Sequence, residues 1–198
     1  MDATDGQTRD RSERGPATVG GVVLAAGAGS RYGEPKIGAH QGEWLRLAVA
    51  ALAAGGCEDV VVAMGARVVE PPPGASTLSV PDWSVGLSAT VRRALDAASE
   101  RGWAAMVLHV VDTPDVGPEV VARLLATTGA DRAALARAVY DGGPGHPVYL
   151  GADHFDAVGA TLSGDTGAGR YLAAHTDVVV GVECGDLATG VDHDQREA

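Results

Sequence analysis

Short apolar runs that alternate with amphipathic stretches of helical length are the feature that most restricts the fold of this chain. The runs at residues 19–26 (VGGVVLAA), 59–64 (DVVVAM) and 104–111 (AAMVLHVV) are apolar almost throughout, as expected of strands buried on both faces. Helix-forming stretches lie at residues 43–54 and 87–100, and the second has its apolar and charged residues on opposite sides. This alternation predicts an α/β fold with a mostly parallel sheet that helices cover on both faces.

Weaker patterns continue the alternation towards the C-terminus. The predicted elements are a strand at 77–80, a helix that Pro118 opens and that runs to about residue 127, strands at 134–140 and 147–150 around a Gly-Pro-Gly loop, a helix at 167–175 and a last strand at 177–182. Residues 1–17 are polar with mixed charge and are predicted to be a disordered tail. Residues 18–198 are predicted to be a single domain, since no second linker and no internal repeat is found.

The composition excludes several classes of function. The 198 residues include 15 Lys and Arg against 26 Asp and Glu, a net charge of −11, and only 4% are aromatic. A general nucleic-acid binder needs a basic face, so no nucleic-acid partner is expected. Cys57 and Cys184 form no disulfide or zinc pattern, and no apolar run reaches the roughly 18 residues that a membrane span needs. No membrane partner is expected either, and the expected location is cytoplasmic.

A glycine-rich loop follows the first predicted strand, at residues 24–36 (LAAGAGSRYGEPK). It begins at the carboxyl end of that strand, which is the edge where open parallel sheets bind ligands. Its three glycines allow a close approach of the backbone, whose N–H groups can face phosphate oxygens. Arg31 and Lys36 add two cations, and Lys36 is the only lysine of the chain. The loop therefore indicates a phosphate-binding site, and the structural alternative is a tight turn without a ligand.

Two well-known phosphate-binding loops do not match this segment. A dinucleotide-binding fingerprint needs G-x-G-x-x-G and an acidic residue after the second strand. The spacing here is G-x-G-x-x-x-G, and no acid follows Met64. A P-loop needs Gly-Lys followed by Ser or Thr, whereas Lys36 follows Pro35 and precedes Ile37.

The loop does match the signature L-A-A-G-x-G-x-R-x-G-x-P-K. In it the chain resembles the MobA-like nucleotidyltransferases, most of all their molybdenum-cofactor cytidylyltransferase (MocA-type) branch. Further segments of the resemblance follow in order beyond residue 18: PDWSVGLS at 81–88, VDTPD at 111–115, GHP at 145–147 and DHD at 192–194. The resemblance implies a Rossmann-like three-layer α/β/α fold of the nucleotide-diphospho-sugar transferase type. It also implies Mg²⁺-dependent transfer of a nucleoside monophosphate from an NTP to a phosphorylated or acidic small molecule, with release of pyrophosphate.

The resemblance also assigns roles to individual residues. Lys36, Arg31 and Asp112 are the expected catalytic residues. Asp112 together with Asp192 is expected to hold the metal, with Asp194 as the alternative to Asp192. His146 and Asp165 are expected to bind the acceptor. The expected nucleotide-binding residues are Leu24, Ala25, Ala26, Gly27, Ala28, Gly29, Gly86, Leu87 and Ser88.

Several of these polar residues have a structural alternative. Asp112 directly follows an apolar strand and so is placed for a ligand, but it could instead cap the helix that starts after Gly117. Asp192 could lie in an acidic C-terminal tail, and Ser88 could be the N-cap of the helix that follows it. His146 is the histidine chosen for the acceptor, with a structural hydrogen bond as its alternative role.

Two further residues, His109 and Arg170, are not assigned to the site. His109 lies inside an apolar strand and is expected to be a core histidine with its hydrogen bonds satisfied. Residues 164–170 (GDTGAGR) have one glycine more than the G-D-x-G-A-R segment of relatives, which leaves the role of Arg170 open.

The sequence predicts the type of reaction more specifically than it predicts the base of the NTP or the identity of the acceptor. Within the resembling families L-A-A-G accompanies cytidylyl transfer and L-A-G-G accompanies guanylyl transfer, so Ala26 favours CTP. Residues 40–43 (HQGE) depart from the G-x-P-L usual at that place, which leaves open whether the acceptor is molybdopterin or another small molecule. The family resemblance also leaves room for a partner protein that receives the product.

Two other functions are alternatives to nucleotidyl transfer. One is an NAD(P)-dependent oxidoreductase, because some members of this family carry a nicotine-blue-oxidoreductase label, although the dinucleotide fingerprint is missing here. The other is a non-catalytic module that holds a cofactor precursor. That module would bind a nucleotide without turnover or would bind none.

Overall fold

The computed structural model describes residues 17–29, 33 and 35–193. A seven-stranded sheet with the order β3-β2-β1-β4-β6-β5-β7 forms its centre. The strands are β1 (Val19–Leu24), β2 (Asp59–Met64), β3 (Ala75–Ser79), β4 (Ala105–Val110), β5 (Leu135–Tyr140), β6 (Gly143–Gly151) and β7 (Val179–Glu183). Only β6 runs antiparallel to its neighbours, β4 and β5, and the other four pairings are parallel.

Five helices cover the two faces of this sheet. They are α1 (Glu43–Ala54), α2 (Leu87–Glu100), α3 (Pro118–Thr128), α4 (Phe155–Thr161) and α5 (Gly169–Ala174). Helices α1 and α3 contribute buried residues to the hydrophobic core on one face, whereas α2, α4 and α5 contribute to the core on the other. The α/β, three-layer, mostly parallel fold predicted from the sequence is therefore confirmed.

Local sequence explains where several of these helices begin and end. Proline at the first position of α3 has no N–H to leave unpaired, and Gly129 adopts the left-handed conformation (φ 59°) that ends this helix. Gly117 is the N-cap of α3 and the helix receives no side-chain cap, so Asp112 does not cap it. Gly86 is the N-cap of α2, and Ser88 already lies within that helix, so Ser88 is not its N-cap.

The prediction was wrong around the β5–β6 hairpin. Asp141 and Gly142 both have positive φ, as in a two-residue type I′ turn, and Tyr140 pairs directly with Gly143. The Gly-Pro-Gly segment predicted as a loop is thus the first part of β6. Four further segments were not predicted: helix α4 and the 3₁₀ segments Lys36–Gly42, Trp83–Val85 and Ala152–His154. The first of these 3₁₀ segments has non-helical backbone at Ala39, His40 and Gln41.

The ligand-bearing edge of the sheet follows from the strand directions. The carboxyl ends of β1, β2, β4 and β5 share one edge with the start of the antiparallel strand β6. None of the helices in the described ranges is long and apolar enough to cross a membrane. The predicted tail at residues 1–17 lies outside the described residues except for Ala17.

Candidate active site

A cleft of about 550 Å³ opens at the carboxyl edge of β1 and β4. Its floor is the loop that follows β1, and the predicted nucleotide-binding residues of this loop all line it: Leu24, Ala25, Ala26, Gly27, Ala28 and Gly29. The first residues of the loop are held by the neighbouring strand, because the Ala25 N–H donates to the Ala63 carbonyl at 3.1 Å. Gly29 has φ of 64°, a conformation that favours glycine, and a side chain built at Gly27 would meet no atom within 4 Å.

Lys36 and Asp112 meet across this cleft. The Lys36 Nζ donates to Asp112 Oδ2 at 2.6 Å, and the two side chains are only 16% and 19% exposed. Ile37, which is 1% exposed, anchors the start of the 3₁₀ segment in the core and so fixes where Lys36 leaves the backbone. Asp112 follows β4 as its sequence position predicted. Two of the three expected catalytic residues are therefore in contact, although 76 positions separate them in the sequence.

The opposite wall of the cleft comes from the β3–α2 connection and from the loop before α5. Gly86 and Leu87 line the cleft as predicted, and Trp83 and Asp165 stand beside them. Gly86 has φ of 119°, and a methyl group there would lie 2.5 Å from Asp165 Oδ1. Asp165, which the resemblance placed at the acceptor, is thus packed against the predicted nucleotide wall.

Ser88 differs from the other predicted nucleotide-binding residues in its position. Successive helical residues are rotated by about 100°, so Leu87 and Thr90 share the face of α2 that lines the cleft and Ser88 faces elsewhere. Ser88 is 5% exposed, lines a separate depression on the far side of the β3–α2 connection, and its N–H donates to the Gly164 carbonyl at 3.0 Å. The structure therefore turns the Ser88 side chain away from the cleft.

The C-terminal segment, which carries Asp192, returns to the backbone of Asp112 just beyond β4. The His193 N–H donates to the Asp112 carbonyl at 2.9 Å, and the His193 ring lies 5.5 Å from the ring of Trp44. Upstream of this contact, Asp115 Oδ2 accepts hydrogen bonds from Thr189 N and Thr189 Oγ1, both at 2.6 Å. Asp192 is exposed, and its charge acts on His146 together with that of Asp112. The segment that carries Asp192 is therefore held near Asp112, although Asp192 is not among the residues that line the cleft.

His146 lies beside both acidic residues but does not line the cleft. Its Nδ1 is 3.4 Å from the Leu108 carbonyl oxygen, and since a carbonyl only accepts, Nδ1 is the donor. Burial lowers the pKa of His146, and the nearby charge of Arg137 lowers it further, although Asp192 and Asp112 act in the opposite direction. His146 is therefore a neutral imidazole at pH 7 whose Nε2 accepts hydrogen bonds.

His109 corrects the expectation of a core histidine with satisfied hydrogen bonds. It is fully buried on the same face of β4 as Ala105 and Val107, and neither of its ring nitrogens has a hydrogen-bond partner among the described residues. Burial lowers the pKa of His109 to about 3, and proximity to His146 adds to this effect. The imidazole is held neutral because its apolar surroundings disfavour a charge.

The site suits a divalent cation only in part. No group of three or more acidic, histidine or cysteine side chains that could hold a metal occurs in the part of the chain that the structure describes. Mg²⁺, however, is commonly held by one or two carboxylates together with substrate phosphates, and Asp112 and Asp192 carry oxygen donors of that kind. The oxygen donors of these residues therefore fit the predicted Mg²⁺ site.

Some predicted features cannot be placed, and some cleft residues were not predicted. Arg31 and Asp194 lie outside the described residues. Ile37, Trp83, Ser84, Thr90, Val110 and Val111 complete the described lining of the cleft without having been assigned to the nucleotide. Helical spacing from Leu87 was the one signal that could have pointed to Thr90.

Comparisons with known proteins show which family and fold the chain shares. A family model described as the MobA-like NTP transferase domain matches residues 21–178. The chain is also 32% identical over 195 residues to the protein named nicotine blue oxidoreductase from Paenarthrobacter nicotinovorans, with 90% of this chain and 93% of that protein covered.

Solved structures share the fold along nearly the whole chain. Rv0371c from Mycobacterium tuberculosis H37Rv is 24% identical with a TM-score of 0.71, covering 89% of this chain and 93% of that one. The same protein has been solved in complex with manganese, at 22% identity and a TM-score of 0.68, with 89% and 94% of the chains covered. A nucleotidyl transferase from Methanothermobacter thermautotroptrophicus is 22% identical with a TM-score of 0.71, covering 90% and 92%.

Proposed function

The chain belongs to the MobA-like NTP transferase family and is a nucleotidyltransferase, and on that premise we propose which group it transfers and how. The proposed reaction moves a nucleoside monophosphate, CMP by preference, from an NTP to a phosphorylated or acidic small molecule such as molybdopterin and releases pyrophosphate. The preference for CTP rests on Ala26 in the L-A-A-G segment, which lines the cleft.

The contact between Lys36 and Asp112 is the observation that carries this proposal. A cation and a carboxylate lie 2.6 Å apart beside a glycine-rich loop, in a cleft large enough for a nucleotide. An anionic substrate attracts the ammonium, while the carboxylate remains as an oxygen ligand for a cation. The pair therefore contains the two opposite charges that binding of a metal-bound triphosphate needs.

In the proposed mechanism the chain positions the substrate and stabilises charge. Backbone N–H groups between Gly27 and Gly29 face the phosphates, and Lys36 and Arg31 stabilise the charge that develops on the leaving pyrophosphate. An oxygen of the acceptor attacks the α-phosphorus, forming one P–O bond while the bond to the β-phosphate breaks. Because a phosphate or carboxylate oxygen is already deprotonated at pH 7, the step needs no general base.

Asp112 and Asp192 are the residues proposed to hold Mg²⁺. Bound there, the ion supplies charge neutralisation for the triphosphate. The manganese complex of the related Rv0371c structure supports a divalent cation in this fold. We further propose that residues 18–198 act as one domain, and that the enzyme works in the cytoplasm, where its NTP substrate is available.

A thermal-shift panel tests the proposal first. CTP, GTP, ATP and UTP are added with and without Mg²⁺, and CTP with Mg²⁺ is expected to raise the melting temperature most, because a ligand that binds only the native state stabilises it. Pyrophosphate release from CTP is then measured with molybdopterin and with simple phosphomonoesters as acceptors. The proposal fails if no NTP stabilises the wild-type protein, or if Lys36→Ala is stabilised as strongly as the wild type.

Oxidoreductase activity is a second candidate, favoured by the name of the 32% identical relative. The structure offers little for a dinucleotide, because the helix after the glycine-rich loop begins only at Glu43 and its N-terminus does not follow Gly29 directly. Incubation with NADPH and a dye acceptor distinguishes the two activities. Loss of NADPH absorbance would favour the oxidoreductase, whereas pyrophosphate release without it favours nucleotidyl transfer.

A further inference from the structure

Arg137, on β5, is a partly buried cation without an acidic partner. Its Nε is buried and has no hydrogen-bond partner, and no carboxylate in the described ranges forms an ion pair with it. Arg67, Arg92 and Arg170 likewise form no ion pair within the described residues, but they are exposed to water, whereas other arginines are paired. Arg46, Arg101 and Arg123 each bind a carboxylate at the surface.

The guanidinium of Arg137 lies next to the start of β6. Its Nη2 is 3.4 Å from the Gly145 carbonyl oxygen, which directly precedes His146. Within the sheet Arg137 pairs with Val148, and Val148 pairs with Leu108 of β4, so these side chains share one face of the sheet. Val110, two residues beyond Leu108 on the same face, lines the nucleotide cleft.

One part of the Arg137 guanidinium, its Nε, is taken out of water without a compensating contact among the described residues. Arginine does not lose its proton at neutral pH, so a guanidinium that is taken out of water needs compensating contacts. Burial lowers the pKa of Arg137, and no neighbouring acid raises it. A single long hydrogen bond to a carbonyl leaves most of the donor capacity of the guanidinium unused.

His146 is not suited to bind an anion in place of Arg137. Its Nδ1 donates to the Leu108 carbonyl, so Nε2 of the neutral ring carries a lone pair and repels an anionic oxygen. The same lone pair can accept a hydrogen bond from a hydroxyl or an N–H group. Because the charge of Arg137 acts on His146, the two side chains offer a cation and a hydrogen-bond acceptor in the same region of the sheet.

We propose that Arg137 binds an anionic group, a phosphate or a carboxylate, of the acceptor molecule. This inference rests on the proposed nucleotidyl transfer and names the group by which the acceptor is selected. The acceptor it fits also carries a hydroxyl or N–H donor that meets His146. The competing explanation is structural: Arg137 only supports the backbone carbonyl of Gly145.

Side-chain NMR tests the contact without any turnover. The ¹⁵Nε–H signal of Arg137, identified by its absence in Arg137→Gln, is followed during titration with inorganic phosphate and, separately, with acetate. Both titrations use the Lys36→Ala protein, so that anions bound at Lys36 do not contribute. A saturable shift with phosphate alone identifies a phosphate subsite, and one with acetate alone identifies a carboxylate subsite. No shift with either probe overturns the inference.

Kinetics of pyrophosphate release then distinguish binding of the acceptor by Arg137 from mere support of the Gly145 carbonyl. Arg137→Gln is expected to raise the KM for a phosphomonoester acceptor on the order of 10- to 100-fold while the KM for CTP stays unchanged, because a lost charged hydrogen bond acts only on the acceptor. Arg137→Lys retains the charge and is expected to recover part of the loss. Arg132→Gln, at an exposed ion pair with Asp153, is the matched control.

The outcomes distinguish this inference from the proposed function. One outcome is that Arg137→Gln has the same acceptor KM as the Arg132→Gln control, while CTP still binds and Lys36→Ala is inactive. In that case the proposed Arg137 subsite is wrong and the proposed nucleotidyl transfer stands. If Arg137→Gln and Arg137→Lys raise the acceptor KM equally and also raise the KM for CTP, the role of Arg137 is structural. If the wild type binds no NTP, the proposed function itself fails.

Discussion

The two halves of the sheet differ in whether a partly buried cationic side chain has an acidic partner. In the parallel half, Lys36 is paired with Asp112 at 2.6 Å inside a cleft whose loop follows a recognisable signature. In the half around the antiparallel strand β6, Arg137 is half-buried with no acidic partner among the described residues, beside a neutral His146. A paired cation is ready to exchange its carboxylate for a substrate, whereas an unpaired one is open to an anion directly. The difference supports our proposal that the nucleotide and the acceptor bind at separate sites.

The largest expected effect tests the ion pair between Lys36 and Asp112 in the parallel half of the sheet. Lys36→Ala should lower kcat/KM for pyrophosphate release on the order of 10²- to 10³-fold, because it removes a cation that stabilises charge in the transition state. Circular dichroism should show an unchanged fold, because Lys36 and Asp112 line the cleft and belong to neither hydrophobic core. Arg46→Ala, which breaks the exposed pair with Glu43, is the control and should leave activity as it is. An active Lys36→Ala enzyme would refute the assignment of this half.

The carboxylate of the same pair should determine metal binding. Asp112→Asn is expected to weaken Mn²⁺ binding in the presence of CTP at least on the order of 10- to 100-fold, because even indirect partners of a metal contribute that much. Free Mn²⁺ is measured by electron paramagnetic resonance, and EDTA should abolish the Mg²⁺-dependent stabilisation by CTP in the wild type. Asp153→Asn, at a surface ion pair, serves as the control. Equal Mn²⁺ affinity in both variants would exclude Asp112 as a ligand.

A substitution at Gly86 should show whether the wall of the cleft formed by Gly86, Leu87 and Asp165 must keep its backbone conformation to bind the nucleotide. Gly86→Ala places a methyl group 2.5 Å from Asp165 Oδ1 at a φ of 119°. We expect a loss of about 2 kcal/mol in the free energy of unfolding and a weaker thermal shift with CTP, because both the conformation and the contact are strained. Gly169→Ala, where a methyl group meets no atom within 4 Å, should be nearly neutral. If both variants bind CTP like the wild type, the wall does not contact the nucleotide.

The smallest effect concerns the C-terminal segment that carries Asp192. Burial raises the pKa of Asp115, but hydrogen bonds from Thr189 and Gly190 outweigh this, so the net pKa lies below its usual value of 3.8. A carboxylate with a depressed pKa stabilises the folded state above that usual value and loses this contribution as the pH falls. Asp115→Asn should therefore cost about 1 kcal/mol at pH 7, from its hydrogen bonds, and less at pH 3.

Urea unfolding at pH 7 and pH 3 measures this difference directly. Hydrogen exchange at residues 187–193 provides the local reading and should become faster in Asp115→Asn. A cost that is the same at both pH values would mean that the Asp115 charge does not hold the segment. Unchanged exchange would mean that other contacts, such as the one between His193 and Trp44, suffice.

Prediction from sequence succeeded where short-range signals decide the structure. The apolar runs that became β1, β2 and β4 lie in the parallel centre of the sheet, and the loop after β1 carries its own glycine pattern. The β5–β6 hairpin was missed because Gly-Pro-Gly resembles a loop by composition, while the Asp141–Gly142 turn just before it defines the register. Ser88 was assigned by its motif although the rotation of α2 turns its side chain away from the cleft.

The sequence by itself determined the α/β class, the phosphate-type loop and the candidates Lys36 and Asp112, because each depends on hydrophobic periodicity or on neighbours within about ten residues. Only the tertiary structure decided that Lys36 touches Asp112, that Asp115 holds the segment carrying Asp192, and that Arg137 has no acid beside it. These facts depend on which strands are adjacent and on how burial changes the energy of a charge. Such distances between remote residues exist only once the chain has folded.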